Sequence, residues 1–291
     1  MPAKVSVVIP VYNCEKYLPA CIASLRAQSL AQSTGEFVGF CDSDDWVETG
    51  MYERLYGAAK DAKADVSFCR VYKDRGEKSE NVPLGFETGT RFDRAAIRET
   101  LIPAMLSRET DSDDLPLSGY TPRNLFRRSA IEGLAFRPDI RYAEDLLFIV
   151  EAMLRACAAV AVDEAYYHYR FHAGSVTKRY SAHVPKSHDL SNDAIEALLK
   201  DYPECMRRMV IRRRKMAVTA GRNYCDREAP GGFMDKWRIV RAYMNRQDVR
   251  AWFKDLKLSR LPKGIAVKLA LIKYRMALLS TVLFGLVFGR K

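Results

Sequence analysis

The chain has 291 residues, 48% hydrophobic and 29% charged; this composition excludes a disordered or fibrous protein and is sufficient to bury a core. The formal net charge of +11 suggests an anionic partner, such as a nucleic acid, a phosphorylated compound or a membrane surface. The charge is uneven, because residues 1–175 carry −5 and the remaining residues carry +16.

The cysteine pattern indicates a reducing compartment. There are seven cysteines, an odd number, and no two have the CxxC spacing of a zinc site. Buried thiols without disulfides are the simplest interpretation. The first residues run directly into a strand-like segment without an apolar signal region. We therefore expect a cytoplasmic protein.

The first forty-five residues predict a βαβ unit that ends in an acidic turn. Val5–Val11 is a β-branched apolar run typical of a strand buried on both faces of a parallel sheet. Glu15–Ser29 has helical spacing, and Glu36–Cys41 is a second apolar strand. The acidic residues Asp42, Asp44 and Asp45 follow at its carboxyl end, where open α/β sheets bind ligands.

The later elements alternate as far as residue 170 and then become helical. We predict helices at 48–62, 93–106 and from Glu144, strands at 65–72, 159–162 and 166–170, and a loop or hairpin at 73–90. Basic helical sequence begins at about residue 187. The predicted domains are an α/β domain at 1–180 and a basic helical region at 181–291.

Asp42 and Asp44 are candidate metal ligands. Residues i and i+2 of an extended backbone face the same way, so their carboxylates would lie side by side and repel each other. A hard divalent cation relieves that repulsion and retains positions for diphosphate oxygens. The alternative is a merely solvated acidic turn.

Several ordered motifs resemble glycosyltransferase family 2, in its bacterial polysaccharide-synthesis branch. The motifs span roughly residues 4–178 and are VSVVIPVYN at 5–13, TGEFVGFCDSDDW at 34–46, LFRRS at 125–129, YAEDLLF at 142–148, YHYR at 167–170 and GSVT at 174–177.

The resemblance implies a GT-A fold, an α/β architecture with an open, mainly parallel sheet and flanking helices. It also implies inverting sugar transfer from a nucleotide diphosphate donor to a saccharide or lipid-linked acceptor, with Mn²⁺ or Mg²⁺ at Asp42 and Asp44. The donor-binding residues that it suggests are Pro10, Tyr12, Asn13, Asp42, Asp44, Asp45 and Arg170.

Asp145 matches the family's general base, with Glu144 beside it. A base must reach the acceptor hydroxyl while the metal neutralises the leaving diphosphate. The helix N-terminus would favour the ionised carboxylate that a base requires. The alternative is that this acidic pair only caps the helix and complements its dipole.

The chain departs from the family pattern near residues 30–34. The first strand and helix should be followed by two further βα segments, so about 50 residues are missing at the usual length of such units. In the family, the absent stretch normally carries the acidic turn that recognises the nucleotide base of the donor. We therefore expect an incomplete nucleotide-binding half, with strands beside the gap that lack partners and expose an edge.

The basic tail predicts a peripheral contact with the inner face of the cell membrane. The apolar run Met276–Phe288 is shorter than the ~20 residues needed to span a bilayer. A basic amphipathic segment suits the membrane interface; a helix packed on the catalytic domain is the alternative. We expect no nucleic-acid partner, because the front is acidic and no nucleic-acid module is present.

Two functions remain open from sequence. One is a metal-dependent transferase in cell-surface polysaccharide synthesis. The other is a catalytically impaired relic that binds a membrane or a partner protein.

Overall fold

The computed structural model describes residues 4–11, 15–26, 35–108, 117, 119–171 and 180–287. Four of the features singled out above lie outside the described residues: Tyr12, Asn13, the junction at 30–34 and the motif at 174–177.

The chain divides into two compact units. The first consists of Met1–Ile102, Pro116–Phe136 and Phe148–Ser175, and the second of Pro103–Leu115, Arg137–Leu147 and Val176–Lys291. The last boundary is close to the predicted one at residue 180. The two earlier segments of the second unit were not predicted, because contacts distant in sequence decide which unit they join.

The strands of the described residues belong to the first unit. They are β1 Val5–Val8, β2 Phe37–Phe40, β3 Trp46–Val47, β4 Val66–Arg75, β5 Lys78–Val82, β6 Arg91–Asp93, β7 Asn124–Arg127 and β8 Ala158–Phe171. They form one sheet in the order β1-β2-β7-β4-β8-β3, while β5 pairs with β4 and β6 with β8.

The α/β class is confirmed, but the sheet is mixed rather than mainly parallel. Parallel pairing joins β1 to β2 and β4 to β8. The other pairings are antiparallel. The two strands predicted within residues 159–170 form the single long strand β8. The predicted hairpin at 73–90 is present as β4 and β5.

Strand β1 is an edge strand. In the described part of the chain β2 is its only neighbour in the sheet. Val8 is 47% exposed, and Val11 just beyond the strand is 54% exposed. The prediction of a strand buried on both faces is therefore wrong for β1. The predicted exposed edge beside the gap is confirmed, because a strand with one neighbour cannot be enclosed.

The helices flank the sheet in the first unit and form the second unit. They are α1 Leu18–Arg26, α2 Met51–Asp61, α3 Arg94–Ala96, α4 Ile102–Leu106, α5 Arg128–Ile131, α6 Glu144–Arg155, α7 Val184–Leu199, α8 Pro203–Tyr224, α9 Phe233–Asn245, α10 Gln247–Phe253, α11 Lys263–Lys273 and α12 Ala277–Val287. A π-helical segment, Ile97–Leu101, joins α3 to α4.

Each unit has its own core. In the first unit, Tyr52 and Leu55 of α2 are fully buried with Phe37 of β2. In the second unit, Phe284 of α12 is 1% exposed and packs beside Gly221 of α8. The described cysteines form no disulfide, as predicted. In the described ranges, no helix has the length and apolar character needed to cross a bilayer.

Gly35 provides a test of how β1 is held. A Cβ at this position would lie 2.6 Å from the Val5 backbone carbon, whereas a Cβ on Gly57 of α2 meets nothing within 4 Å. We predict that Gly35→Ala lowers the free energy of unfolding by about 1–3 kcal/mol, because the methyl group forces β1 away from β2. Gly57→Ala should raise it by about 0.5–1 kcal/mol through helix propensity. Urea denaturation measures both, and an unchanged Gly35→Ala variant would contradict the packing.

Candidate active site

The acidic turn, Asp42–Asp45, follows β2 directly. Its backbone closes through a hydrogen bond from the Asp45 amide to the Asp42 carbonyl, 3.1 Å long. Burial alternates along it: Ser43 and Asp45 are 5% and 1% exposed, whereas Asp42 and Asp44 are half-buried. This burial places Asp42 and Asp44 on the accessible side of the turn.

Tyr167 of β8 supports the acidic turn from inside the protein. Its hydroxyl accepts a hydrogen bond from the Asp42 amide at 3.2 Å and donates one to Asp45 Oδ2 at 2.7 Å. The side chain is 1% exposed. One buried hydroxyl therefore joins both ends of the turn to the centre of the sheet. The sequence indicated only a packing role for this tyrosine, and the bridge could not be read from its spacing.

Asp45 is a positioning residue rather than a donor ligand in this geometry. Its Oδ1 accepts a hydrogen bond from the Arg170 amide at 2.8 Å, and its Oδ2 is held by Tyr167. Burial raises the pKa of Asp45 to about 8, against the opposing effect of these hydrogen bonds, and the carboxylates of Asp42 and Asp44 raise it further. The expected donor contact of Asp45 is therefore corrected, because its carboxyl group faces the interior.

Arg170, near the end of β8, lies against the acidic turn. Its Nε donates to the Asp44 carbonyl at 2.7 Å. Its guanidinium carbon lies 4.4 Å from the ring centre of Trp46 and 5.0 Å from that of Tyr17. These contacts set a positive charge beside the acidic turn, and the contact of Arg170 with donor phosphates stays a prediction.

His168, a buried residue whose role the sequence analysis did not predict, holds the segment after the turn in place. His168 stacks between Trp46 and Tyr72, with ring centres 4.5 Å away on each side. Its Nδ1 lies 2.8 Å from Asp74 Oδ2 and its Nε2 2.9 Å from Glu48 Oε1. The strand pattern of Tyr167-His168-Tyr169-Arg170 could have indicated this role, because neighbouring residues of a strand point to opposite faces of the sheet. Tyr167 and His168 therefore point in opposite directions.

The second predicted element, Glu144 and Asp145, opens α6, as expected, but it lies in the second unit and not in the one that carries the acidic turn. Ala143 before it has a φ of 63°, a left-handed conformation that is strained for alanine. The Ser191 hydroxyl donates to the Ala143 carbonyl at 2.8 Å and so supports this backbone. Burial raises the pKa of Glu144.

The predicted metal ligands Asp42 and Asp44 both lie in the acidic turn. Among the described residues, no group of three or more His, Cys, Asp or Glu side chains could hold a metal ion by itself. Two accessible carboxylates still fit Mg²⁺, which proteins commonly bind through one or two carboxylates plus substrate phosphates and water. Of the other expected donor residues, Pro10 is exposed just after β1, and Tyr12 and Asn13 lie outside the described residues.

Tyr167→Phe tests the support of the acidic turn. The change leaves the buried Asp45 carboxyl without one donor, so we predict a loss of about 1–3 kcal/mol in the free energy of unfolding. Tyr166→Phe is the matched control on the same strand, because the Tyr166 hydroxyl bonds the half-exposed Glu164. Its change should stay within about 0.5 kcal/mol. Equal urea midpoints for the two variants would contradict the bridge.

Comparison with known proteins finds a family similar to the part of the chain that carries this geometry. Residues 29–132 match the model of Glycosyl transferase family 2, a range that includes the acidic turn. The Bacillus subtilis protein described as uncharacterized glycosyltransferase EpsJ is 25% identical over 96% of this chain and 95% of its own length. That alignment runs over 346 positions, more than the chain has residues, so EpsJ has residues that this chain lacks.

A solved relative shares the fold. The poly(ribitol-phosphate) beta-N-acetylglucosaminyltransferase TarS of Staphylococcus aureus is 27% identical over 60% of this chain, which spans 26% of TarS. The crystal structure of TarS 1–349 superposes with a TM-score of 0.59 at 17% identity, covering 95% of this chain and 90% of that one. The chain therefore has a GT-A-like fold, matches glycosyl transferase family 2 over residues 29–132 and is similar over nearly its whole length to a glycosyltransferase.

Proposed function

We propose that the chain transfers a sugar from a nucleotide diphosphate donor to a saccharide or lipid-linked acceptor in cell-surface polysaccharide synthesis. The observation that carries the proposal is the acidic turn. Its two half-buried carboxylates lie at the carboxyl end of β2, over a buried lattice of hydrogen bonds from Tyr167 and Arg170. Such preorganisation suits a ligand that must be bound in one orientation.

Asp42 and Asp44 would hold Mn²⁺ or Mg²⁺ together with the donor diphosphate. Carboxylate oxygens are hard ligands that suit these cations. The bound ion would neutralise charge on the leaving diphosphate. Arg170 adds a fixed positive charge beside the same turn, and Pro10, Tyr12 and Asn13 remain the proposed contacts on the nucleoside side.

Asp145 is the proposed general base for an inverting displacement at the sugar. Its place in the first turn of α6 favours the carboxylate form through the helix dipole. The raised pKa of Glu144 makes that neighbour less suited to be ionised, so Glu144 is assigned an assisting role. The strained backbone at Ala143 supports a functional rather than a purely capping role for this helix start.

The comparisons support a nucleotide-sugar donor. TarS 1–349 has been solved in complex with UDP-GlcNAc and matches this chain with a TM-score of 0.51 at 16% identity. The exposed β1 edge favours the second candidate, an impaired relic, because strands that normally extend the donor side are absent next to it in the described chain. Donor binding and turnover separate the two functions.

A set of three aspartate variants tests the proposed roles. Asp44→Asn should abolish metal-dependent donor binding and, with it, donor hydrolysis. Asp145→Asn should retain donor affinity but hydrolyse the donor about 10²–10⁴-fold more slowly, because water then lacks its base. Asp61→Asn, on the exposed end of α2, is the matched control and should behave as the unaltered chain. Unchanged hydrolysis by Asp44→Asn with Mn²⁺ present would overturn the metal role.

The second unit is proposed to contact the membrane surface at the cytoplasmic face. Exposed apolar side chains interleave with cations over residues 267–279: Val267, Tyr274 and Leu278 are 54%, 62% and 59% exposed. Lys273 and Arg275 lie between them. Apolar side chains beside cations are the composition of an interfacial segment that binds anionic lipid.

Vesicle co-sedimentation tests this contact. Leu278→Ser with Leu279→Ser should weaken binding to phosphatidylglycerol vesicles about 30-fold or more, because about 1–2 kcal/mol of apolar burial per leucine is lost. Ile239→Ser on α9, where Ile239 is 43% exposed, is the matched control and should leave binding unchanged. Equal loss in both variants would contradict an interface at α12.

A further inference from the structure

A cavity of about 280 Å³ lies in the second unit between α8 and α11. Its lining from α8 recurs at helical spacing, so it represents one face of the helix. That face carries Arg212, Lys215, Met216, Thr219 and Arg222, joined by Val218. The facing wall consists of Ile265, Lys268 and Leu269 of α11, with Leu106 of α4. The space equals roughly nine water molecules, more than a bare phosphate requires.

The cavity has a one-sided charge. Four of the ten lining side chains are cationic, Arg212, Lys215, Arg222 and Lys268, and none is acidic. The other lining residues are apolar apart from one threonine. A wall that combines cations with hydrocarbon fits a ligand with an anionic group and an apolar part.

Arg212 is a buried member of this set of four cations. It is 8% exposed, and its Nε donates to the neutral Asn192 Oδ1 at 2.8 Å. In the described residues, its two terminal nitrogens have no hydrogen-bond acceptor. Burial and the nearby charge of Arg213 lower the pKa of Arg212 to about 10. Burying a guanidinium without a carboxylate partner costs free energy unless an anion binds to it.

Neighbouring arginines of α8 show the contrast. Arg213 lies 2.8 Å from Glu196 Oε2, and Arg208 lies 2.6 Å from Glu204 Oε1. The second unit therefore supplies carboxylates to Arg208 and Arg213 but an amide to the cavity-lining Arg212.

We propose that this basic cavity binds the phosphate of an amphiphilic phosphate ester. The phosphate would lie against Arg212, Lys215 and Lys268, and the hydrocarbon against the apolar wall of Leu106, Ile265 and Leu269. The site goes beyond the proposed sugar transfer, since it needs neither the acidic turn nor Asp145. Its failure would leave the transferase proposal intact.

Calorimetric titration of the full chain with monomeric octyl phosphate tests the site. Lys215→Ala with Lys268→Ala, both at half-buried positions, should weaken binding about tenfold or more, since each removes a charge-assisted contact. Arg212→Met should weaken it similarly. Lys263→Ala, an exposed lysine at the start of α11, is the matched control and should bind octyl phosphate unchanged. A thermal melt of each variant verifies folding, and the lysine pair keeps the test decisive if Arg212→Met unfolds.

Two further ligands sharpen the outcome. Inorganic phosphate should bind more weakly than octyl phosphate, because it lacks the apolar part. Equal affinity for both, no octyl phosphate binding at low salt, or an equal loss in Lys263→Ala would overturn the proposal. Competition by phosphatidylglycerol vesicles would support a bilayer lipid as the source of the phosphate. Octyl phosphate binding without such competition would support a phosphate ester presented outside a bilayer.

Discussion

The Tyr167 hydroxyl is the contact on which the acidic turn depends. It bonds the Asp42 amide at one end and the Asp45 carboxyl group at the other, and it is carried by the longest strand of the sheet. Because Asp45 also accepts from the Arg170 amide, the turn is tied to β8 at two positions, Tyr167 and Arg170. Asp42 and Asp44 are thereby left on the accessible side. A turn of three aspartates would otherwise be opened by their mutual repulsion.

The exposed edge at β1 is a second feature of the first unit. With β2 as its only neighbour in the described chain, β1 is exposed at an edge that further strands would ordinarily cover. The EpsJ alignment is longer than the chain itself, so EpsJ has residues that this chain lacks. The acidic turn follows β2 and is held by Tyr167 of β8. Its support therefore does not pass through β1 or its exposed edge.

Local patterns predicted the parts of the fold that are local in origin. The β1–α1–β2 unit, the hairpin of β4 and β5 and the acidic opening of α6 were all predicted, since apolar periodicity and turn residues encode them. The mixed pairing of the strands was not predicted. The neighbours of β7 are set by packing between segments that are distant in sequence. For the same reason the sequence suggested donor contact for Asp45, whereas burial turns its carboxyl group inward. The His168 stack and the basic cavity likewise join residues too distant in sequence to be paired by inspection.

The most direct test of the central claim is whether the acidic turn still binds a metal–diphosphate ligand beside an incomplete sheet. Calorimetric titration of the chain with uridine, guanosine and thymidine diphosphate sugars, with Mn²⁺ and again after chelation, measures this. The account predicts that at least one donor binds with Mn²⁺ and that its affinity is lost when the metal is removed. No binding of any donor, or equal binding with and without metal, would contradict it.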